Sequence, residues 1–342
     1  MPLIDAASIR RILIIQYDPF GDVLLNTGYL PVLRRRFPDA RIEFLLCPPY
    51  DEVLADNPCL DEIITFHKKV PWYDYVRERF GLFWRIYRRR YDLVIDQQSG
   101  TGSAQIAMAS RARYRLGLAH VRWSFAYNLP VDVNLNQYSA LIKFDLLAPL
   151  GIDREPFELV YPIRPESQAW ADRWIQSQGL AEKAFILVSP GSPVKRKKWR
   201  LSHYAEVVEG IRHELAVPVV LSGAPGEMAD LDRLQAMLSE PVPVKPPTSA
   251  NQAAALLKRA RLLLCNDGGM NHLSAAVKTP SLAIFGVTDT VNWAPTIFPH
   301  HEIMFNPDPE QRRDDRFGIE PRQVIDRIKA MLDRIDRDTH HD

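Results

Sequence analysis

Short apolar runs alternate along this chain with longer stretches whose apolar positions recur every three or four residues. The first spacing marks strands covered on both faces, the second helices with one buried stripe. In the first half the runs fall at 12–15, 41–46, 62–66, 91–96 and 113–118. Helical spacing falls between them at 23–37, 50–55 and 103–110, and after them at 136–150. Pro31 predicts a break inside the first of these helices. The segment with Trp72, Tyr73, Tyr75, Phe80, Phe83, Trp84 and Tyr87 predicts a helix packed into a core through its aromatic rings. Residues 151–165 carry Pro156, Pro162 and Pro165 and little periodicity, and read as a linker. A second series follows. Strands are predicted at 185–189, 217–222, 262–264 and 281–286, with a weak one at 242–245. Helices are predicted at 170–178, 201–215, 227–238, 251–259 and 320–335, and one follows Gly269.

Strand and helix alternating throughout predict α/β architecture with parallel sheets. A linker between two such series predicts two Rossmann-like domains facing a central cleft, with ligand outside the carboxyl ends of the strands. The expected division is 1–155, 166–318 and a terminal helix and tail, 319–342, able to pack back on the first domain. At 342 residues two domains are the natural expectation.

The strand-to-helix junctions hold the candidate chemistry. The apolar run Leu262-Leu263-Leu264 stops at Asn266-Asp267-Gly268-Gly269 before a helix. Unpaired N–H groups and the positive end of the helix dipole make that start a phosphate site. A tight turn with no ligand uses the same residues. The loop 189–199 holds Ser192 and the cations Lys195, Arg196, Lys197 and Lys198, suited to a diphosphate or simply to water. In the turn 223–227, Glu227 is either an acceptor for ribose hydroxyls or an acid favoured by the helix dipole. Asp22 adjoins a helix start, as an N-cap or as a base. His272, one turn into its helix, reads by itself as a packed, hydrogen-bonded residue.

Other chemistries fit poorly. Gly100-x-Gly102 follows a strand, but the third glycine position is Gln105 and no acid follows at ribose distance, against a dinucleotide oxidoreductase. Asp230-x-Asp232 lies in a predicted helix, where residues two apart diverge. His300-His301 and His340-His341 have no metal-ligand companions at useful spacing. No metal and no cofactor are expected. Cys47, Cys59 and Cys265 are far apart, which argues against disulfides and fits a cytoplasmic protein. No run approaches a membrane span, and Asp5 and Arg10-Arg11 before the first run argue against a signal peptide. A net charge of +1 excludes a global pull toward nucleic acid. Yet residues 68–122 contain twelve Lys or Arg against four Asp or Glu, a region able to face an anionic partner or a membrane surface.

Taken in order, Gly21-Asp22, Lys197-x-Trp199, Asp267-Gly268-Gly269-x-x-His272-Leu273-x-Ala275-Ala276 and Pro280-x-x-x-x-Phe285-Gly286 resemble the motifs of glycosyltransferase family 9, the ADP-heptose:lipopolysaccharide heptosyltransferases. The likeness runs from Arg11 to Pro295. It implies a GT-B fold and inverting, metal-independent transfer from a nucleotide sugar, an ADP-sugar by preference. By this resemblance Asp22, beside Gly21, is the general base, and Lys197 stabilises the departing diphosphate. Ser192 lies near the phosphate-contacting hydroxyls, and Glu227 near the nucleoside. Asp267, Gly269 and His272 match the D-T-G-x-x-H donor motif. Gly268 departs from it by lacking the hydroxyl, which leaves its N–H and the neighbouring Lys198 to meet the phosphate. The implied acceptor is an anionic lipid-linked saccharide at the cytoplasmic face of the inner membrane, with Lys68, Lys69 and Arg122 as candidate contacts. A nucleotide-sugar epimerase and a non-catalytic binding protein of the same fold are the alternatives.

Overall fold

The computed structural model describes residues 4, 6–68 and 71–339. Two compact units divide it, Met1–Pro162 and Ile163–Asp342. The division falls in the proline-bearing stretch 151–164, which has neither helix nor strand.

The first unit is built on a six-stranded sheet of β1 (Arg11–Ile15), β2 (Arg41–Leu46), β3 (Glu62–Thr65), β4 (Leu93–Asp96), β5 (Tyr114–Leu118) and β6 (Leu129–Val131). Every pairing is parallel, in the order β3-β2-β1-β4-β5-β6. Ile12 pairs with Ile42 on one side and Leu93 on the other. Its four isoleucine and leucine positions are fully buried, as a strand covered on both faces requires. The helices are α1 (Phe20–Leu25), α2 (Leu30–Arg36), α3 (Trp72–Arg89), α4 (Thr101–Ala109) and α5 (Ser139–Asp145). The break predicted by Pro31 is present: α1 ends, one 3-10 turn intervenes, and α2 restarts with the proline in its first turn. β6 escapes the sequence pattern because it is a three-residue edge strand containing Pro130, tolerable only at an edge.

In the second unit, helices α6 (Pro165–Ser177), α7 (Leu201–His213), α8 (Met228–Gln235), α9 (Ala250–Arg259), α10 (Gly269–Ala276), α11 (Thr290–Trp293) and α12 (Pro321–Thr339) accompany a five-stranded sheet. Its strands are β7 (Ile186–Ser189), β8 (Val219–Leu221), β9 (Leu262–Asn266), β10 (Ser281–Phe285) and β11 (His301–Phe305), in the order β11-β10-β9-β7-β8, all parallel. The weak strand expected at 242–245 is a single parallel bridge from Val244 to Leu221. Pro241, Pro243, Pro246 and Pro247 remove the donors a longer ladder needs. Counting that bridge as the third strand position, both units have the Rossmann order 3-2-1-4-5-6. Each therefore has a switch point at its carboxyl edge, between β1 and β4 in the first unit and between β7 and β9 in the second.

The terminal helix packs on α7: Val324, Ile325, Ile328, Met331 and Leu332 are buried in the second unit's core. The helices approach closely at Gly210, where a Cβ would stand 2.3 Å from Ile325 Cδ1. One expectation is corrected: α3 is not packed through its aromatic residues as a set. Its buried side chains are Leu82 and Ile86, with Tyr75 and Phe83 packed partly on the core, whereas Trp72, Tyr73, Phe80, Trp84 and Tyr87 are exposed. Helical geometry puts residues 73, 80, 84 and 87 on a stripe turned away from 75, 82 and 86. The three cysteines are free.

Candidate functional site

In the first unit, the loop after β1 delivers Gly21 and Asp22 into the first turn of α1, whose N-cap is Pro19. Asp22 is thus not the cap but an acid inside the first turn, where the helix dipole favours it. Its side chain is 19% exposed. Behind it lies Lys143 of α5, its side chain 7% exposed, with Nζ 3.8 Å from Asp22 Oδ1. Lys143 Nζ donates to Gln16 Oε1 at 2.6 Å, and Gln16 Nε2 donates to Gln98 Oε1 at 2.9 Å. Burial pushes the Lys143 ammonium's pKa down, while Asp22 and Asp96 push it back up. Asp96, fully buried at the end of β4, is pushed up to about 6 by burial. The Tyr127 hydroxyl, donating at 2.7 Å, and the N–H groups of Gln98 and Ser99 limit that rise. Sequence reasoning missed Lys143. The available signal was a lone lysine in the otherwise apolar helical spacing of 139–147.

The candidate acceptor contacts also lie past strand ends of this sheet. Lys68, beyond β3, reaches the β1 loop, with Nζ 3.3 Å from Asp18 Oδ2 and 4.2 Å from the Tyr17 ring centre. Arg122 is exposed in the turn after β5. Lys69 lies outside the described residues, as do His340 and His341.

In the second unit, the loops after β7 and β9 meet at the switch point. Asn266 ties them: its Oδ1 accepts from Trp199 N and the Tyr204 hydroxyl, both at 3.0 Å, and its Nδ2 donates to Pro190 O at 2.6 Å. Trp199 is buried and donates Nε1–H to Arg316 O at 2.9 Å. This anchored tryptophan fixes the loop two residues past Lys197. Lys197 Nζ lies 2.6 Å from Asp267 Oδ2, an ion contact whose angles fall outside those of a hydrogen bond. Here the carboxylate is the buried member, 3% exposed, and the lysine the more open one, at 23%.

Gly268 caps α10 in extended backbone, φ 169°, and a Cβ there would meet nothing within 4 Å. Nothing in the packing demands glycine. The first turn of α10 then presents Gly269, with His272 buried beneath and its ring centre 6.3 Å from that of Trp293. Burial pushes His272 down to about 4, against the pull of Asp267. Ser192 is buried, its Oγ accepting from Val194 N at 3.3 Å. Glu227 accepts from Ala224 N at 2.9 Å and lies against Gly191, where a Cβ would be 2.1 Å from its Oε2. Lys245, also missed, is buried close enough to feel the Glu227 charge, and burial lowers it to about 8. Lys198 does not join Lys197: its Nζ lies 2.6 Å from Asp230 Oδ2 on α8, and Asp230 also pairs with Arg233. The structure thus brings together Lys197, Asp267 and His272, links Glu227 to their loop through Gly191, and turns Lys198 aside.

Residues 79–318 match the family model for glycosyltransferase family 9 (heptosyltransferase). The chain belongs to glycosyltransferase family 9. It is a glycosyltransferase, and its fold is that of the GT-B members. The family span takes in Lys197 and Asp267 but begins after Asp22. Among similar proteins, lipopolysaccharide heptosyltransferase 3 of Escherichia coli is 25% identical over 287 residues, 80% of this chain and 83% of that protein. The crystal structure of a family 9 glycosyltransferase from Veillonella parvula superposes with a TM-score of 0.83 at 21% identity, covering 94% of this chain and 97% of that one. The E. coli heptosyltransferase WaaC, solved with ADP-2-deoxy-2-fluoro heptose, gives 0.73 at 20% identity, covering 94% and 99%. Among the described residues no helix is long and apolar enough to cross a membrane.

Proposed function

We propose that this family 9 enzyme moves a heptose from an ADP-activated donor to a saccharide acceptor of the lipopolysaccharide-core class, with inversion and without a metal. The supporting observation is a reversal of polarity between two ion pairs. The first unit sets the more open carboxylate of Asp22 in front of a buried lysine. The second sets the more open lysine, Lys197, in front of a buried carboxylate. An open carboxylate suits an acceptor hydroxyl that must lose a proton. An open ammonium beside a helix start suits a diphosphate that must gain charge.

In this reading the acceptor oxygen attacks the anomeric carbon from the face opposite the diphosphate, and its proton passes to Asp22. The bond from that carbon to the diphosphate oxygen breaks, and the electron pair leaves with ADP. Lys197 and the N–H groups of Gly268 and Gly269 meet the charge, so these residues take the part a metal plays elsewhere. Asp267 acts through Lys197, as a positioning residue. Glu227, set against Gly191, serves the ribose hydroxyls, and Lys68 and Arg122 the anionic acceptor. Gln16 and Lys143 hold Asp22 and its loop. Ser192 and His272 shape the wall of the phosphate site.

Two measurements test this. The configuration of the new glycosidic bond, read by NMR, is expected to be the inverse of the donor's, and turnover is expected to survive EDTA. Retention of configuration, or loss of turnover on chelation, contradicts the proposal. The name of the E. coli relative and the heptose analogue bound to WaaC support heptose as the sugar. A comparison of ADP-heptose with ADP-glucose as donor decides that point.

A further inference from the structure

We propose that the outward face of α3 docks the protein on an anionic lipid bilayer. Tyr73, Val76, Phe80, Trp84 and Tyr87 recur every three or four residues, so they share one side of the helix. All are exposed, Tyr73 at 58%, Phe80 at 71% and Trp84 at 61%. The helix already satisfies the core with Leu82 and Ile86 on another side. The stripe is therefore left largely uncovered within the unit, and a continuous exposed apolar face marks an interaction surface.

The chemistry of the rim selects the occupant. Arg77 and Arg88 adjoin the stripe and are exposed, with Arg85 and Arg90 beyond them. The Arg88 guanidinium lies 5.8 Å from the Trp84 ring centre, and that of Arg111 lies 5.9 Å from Tyr87. Tryptophan, tyrosine and phenylalanine edged by arginine suit the boundary between headgroups and acyl chains, with the cations on lipid phosphates. A two-fold pair of this chain would set the patch against itself and bring arginine against arginine. The amino end of α3 follows β3, at the sheet edge where Lys68 touches the Asp22 loop. Docking by this helix brings that edge to the headgroup layer, where a lipid-linked acceptor presents its saccharide. The inference rests on the acceptor class proposed above, but its test does not require transfer.

The test is flotation of the full chain with vesicles of phosphatidylcholine alone and of phosphatidylcholine with phosphatidylglycerol. The wild-type protein is expected to float with the anionic vesicles, and less so as salt rises. Phe80→Ser/Trp84→Ser is expected to weaken that binding by about tenfold or more, since it removes two of the inserted rings. Its melting temperature and ADP affinity are expected to stay unchanged, because both side chains are exposed. Arg77→Gln/Arg88→Gln is expected to lose the preference for anionic over neutral vesicles. The proposal is overturned if the wild-type protein ignores anionic vesicles or if the serine variant floats as well as wild type. A wild-type dimer that the serine variant dissociates, with no vesicle binding, assigns the face to a second copy instead. If the vesicle results hold while no saccharide is transferred, the function proposed above falls and the docking surface stands.

Discussion

Both units have the same strand order and each places an aspartate–lysine pair beside its switch point, yet the pairs are built in opposite senses. Asp22 is more open than Lys143, and Lys197 is more open than Asp267. In each, the charge of the more buried partner lies against the more exposed one. One scaffold thus presents a negative group in the first unit and a positive group in the second, and the difference lies in which member of the pair the core covers. The fold alone is silent on this, since the strand order is shared; the burial of single side chains decides it.

The largest expected effect comes from removing the open member of the first pair. Asp22→Asn should cut turnover by about 10²- to 10⁴-fold, the usual range for a general base. Steady-state assays with saturating donor check this, and a loss below about tenfold would break the comparison. Lys197→Ala should cost about 10²- to 10³-fold in kcat, as for other donors that meet transition-state charge.

Acid should separate the units next. In the second, His272 and His301 are both pushed down to about 4 by burial from an ordinary 6.5. The unfolded chain binds those protons first, so stability is full above pH 6.5 and lost as pH falls toward 4, by about 3 kcal/mol per histidine. In the first unit, Asp96 is raised to about 6 from 3.8. Its contribution is full below pH 3.8 and lost as pH rises through 6, the opposite sign. Hydrogen exchange, corrected for its intrinsic pH dependence, should show the second unit losing more protection than the first between pH 6.5 and 4. His301→Gln should reduce that loss.

Smaller effects sharpen the picture. Lys143→Met should lower kcat by about tenfold, as expected for loss of one charged partner of a reacting group, with ADP affinity unchanged. Gly268→Thr should leave the melting temperature within about 1 °C, since the site has room for a side chain. A hydroxyl there should tighten ADP by about fivefold, the worth of one neutral hydrogen bond.

Much of this architecture was legible from periodicity, because doubly covered strands such as β1 and β9 read as unbroken apolar runs. The loop cations 195–198 and Asp267 stood out because charge and turn chemistry recur at strand ends, whereas Lys197 among those cations, and His272, were singled out only by the family resemblance. What escaped was what depends on tertiary partners. Lys143 is a buried cation whose partners Asp22 and Gln16 come from other elements, so its helical spacing marks it without naming them, and the Glu227 charge beside Lys245 likewise comes from another turn. The pairing of Lys198 with Asp230 needs the position of α8. The aromatic helix α3 reads as core because aromatic rings are usually buried, and two apolar faces on one helix cannot be ranked from the sequence. The close approach of α12 to α7 at Gly210 shows only once the helices cross.

The most direct test crosses the two open residues against two readouts, ADP affinity by calorimetry and single-turnover transfer. The account predicts that Asp22→Asn leaves ADP affinity within about twofold of wild type while transfer collapses, because it removes only the acceptor's base. It predicts that Lys197→Ala weakens ADP by about tenfold and also slows transfer, because the ammonium meets the diphosphate both before and during bond breaking. ADP affinity lost in Asp22→Asn and kept in Lys197→Ala would contradict the assignment of base to the first unit and diphosphate to the second.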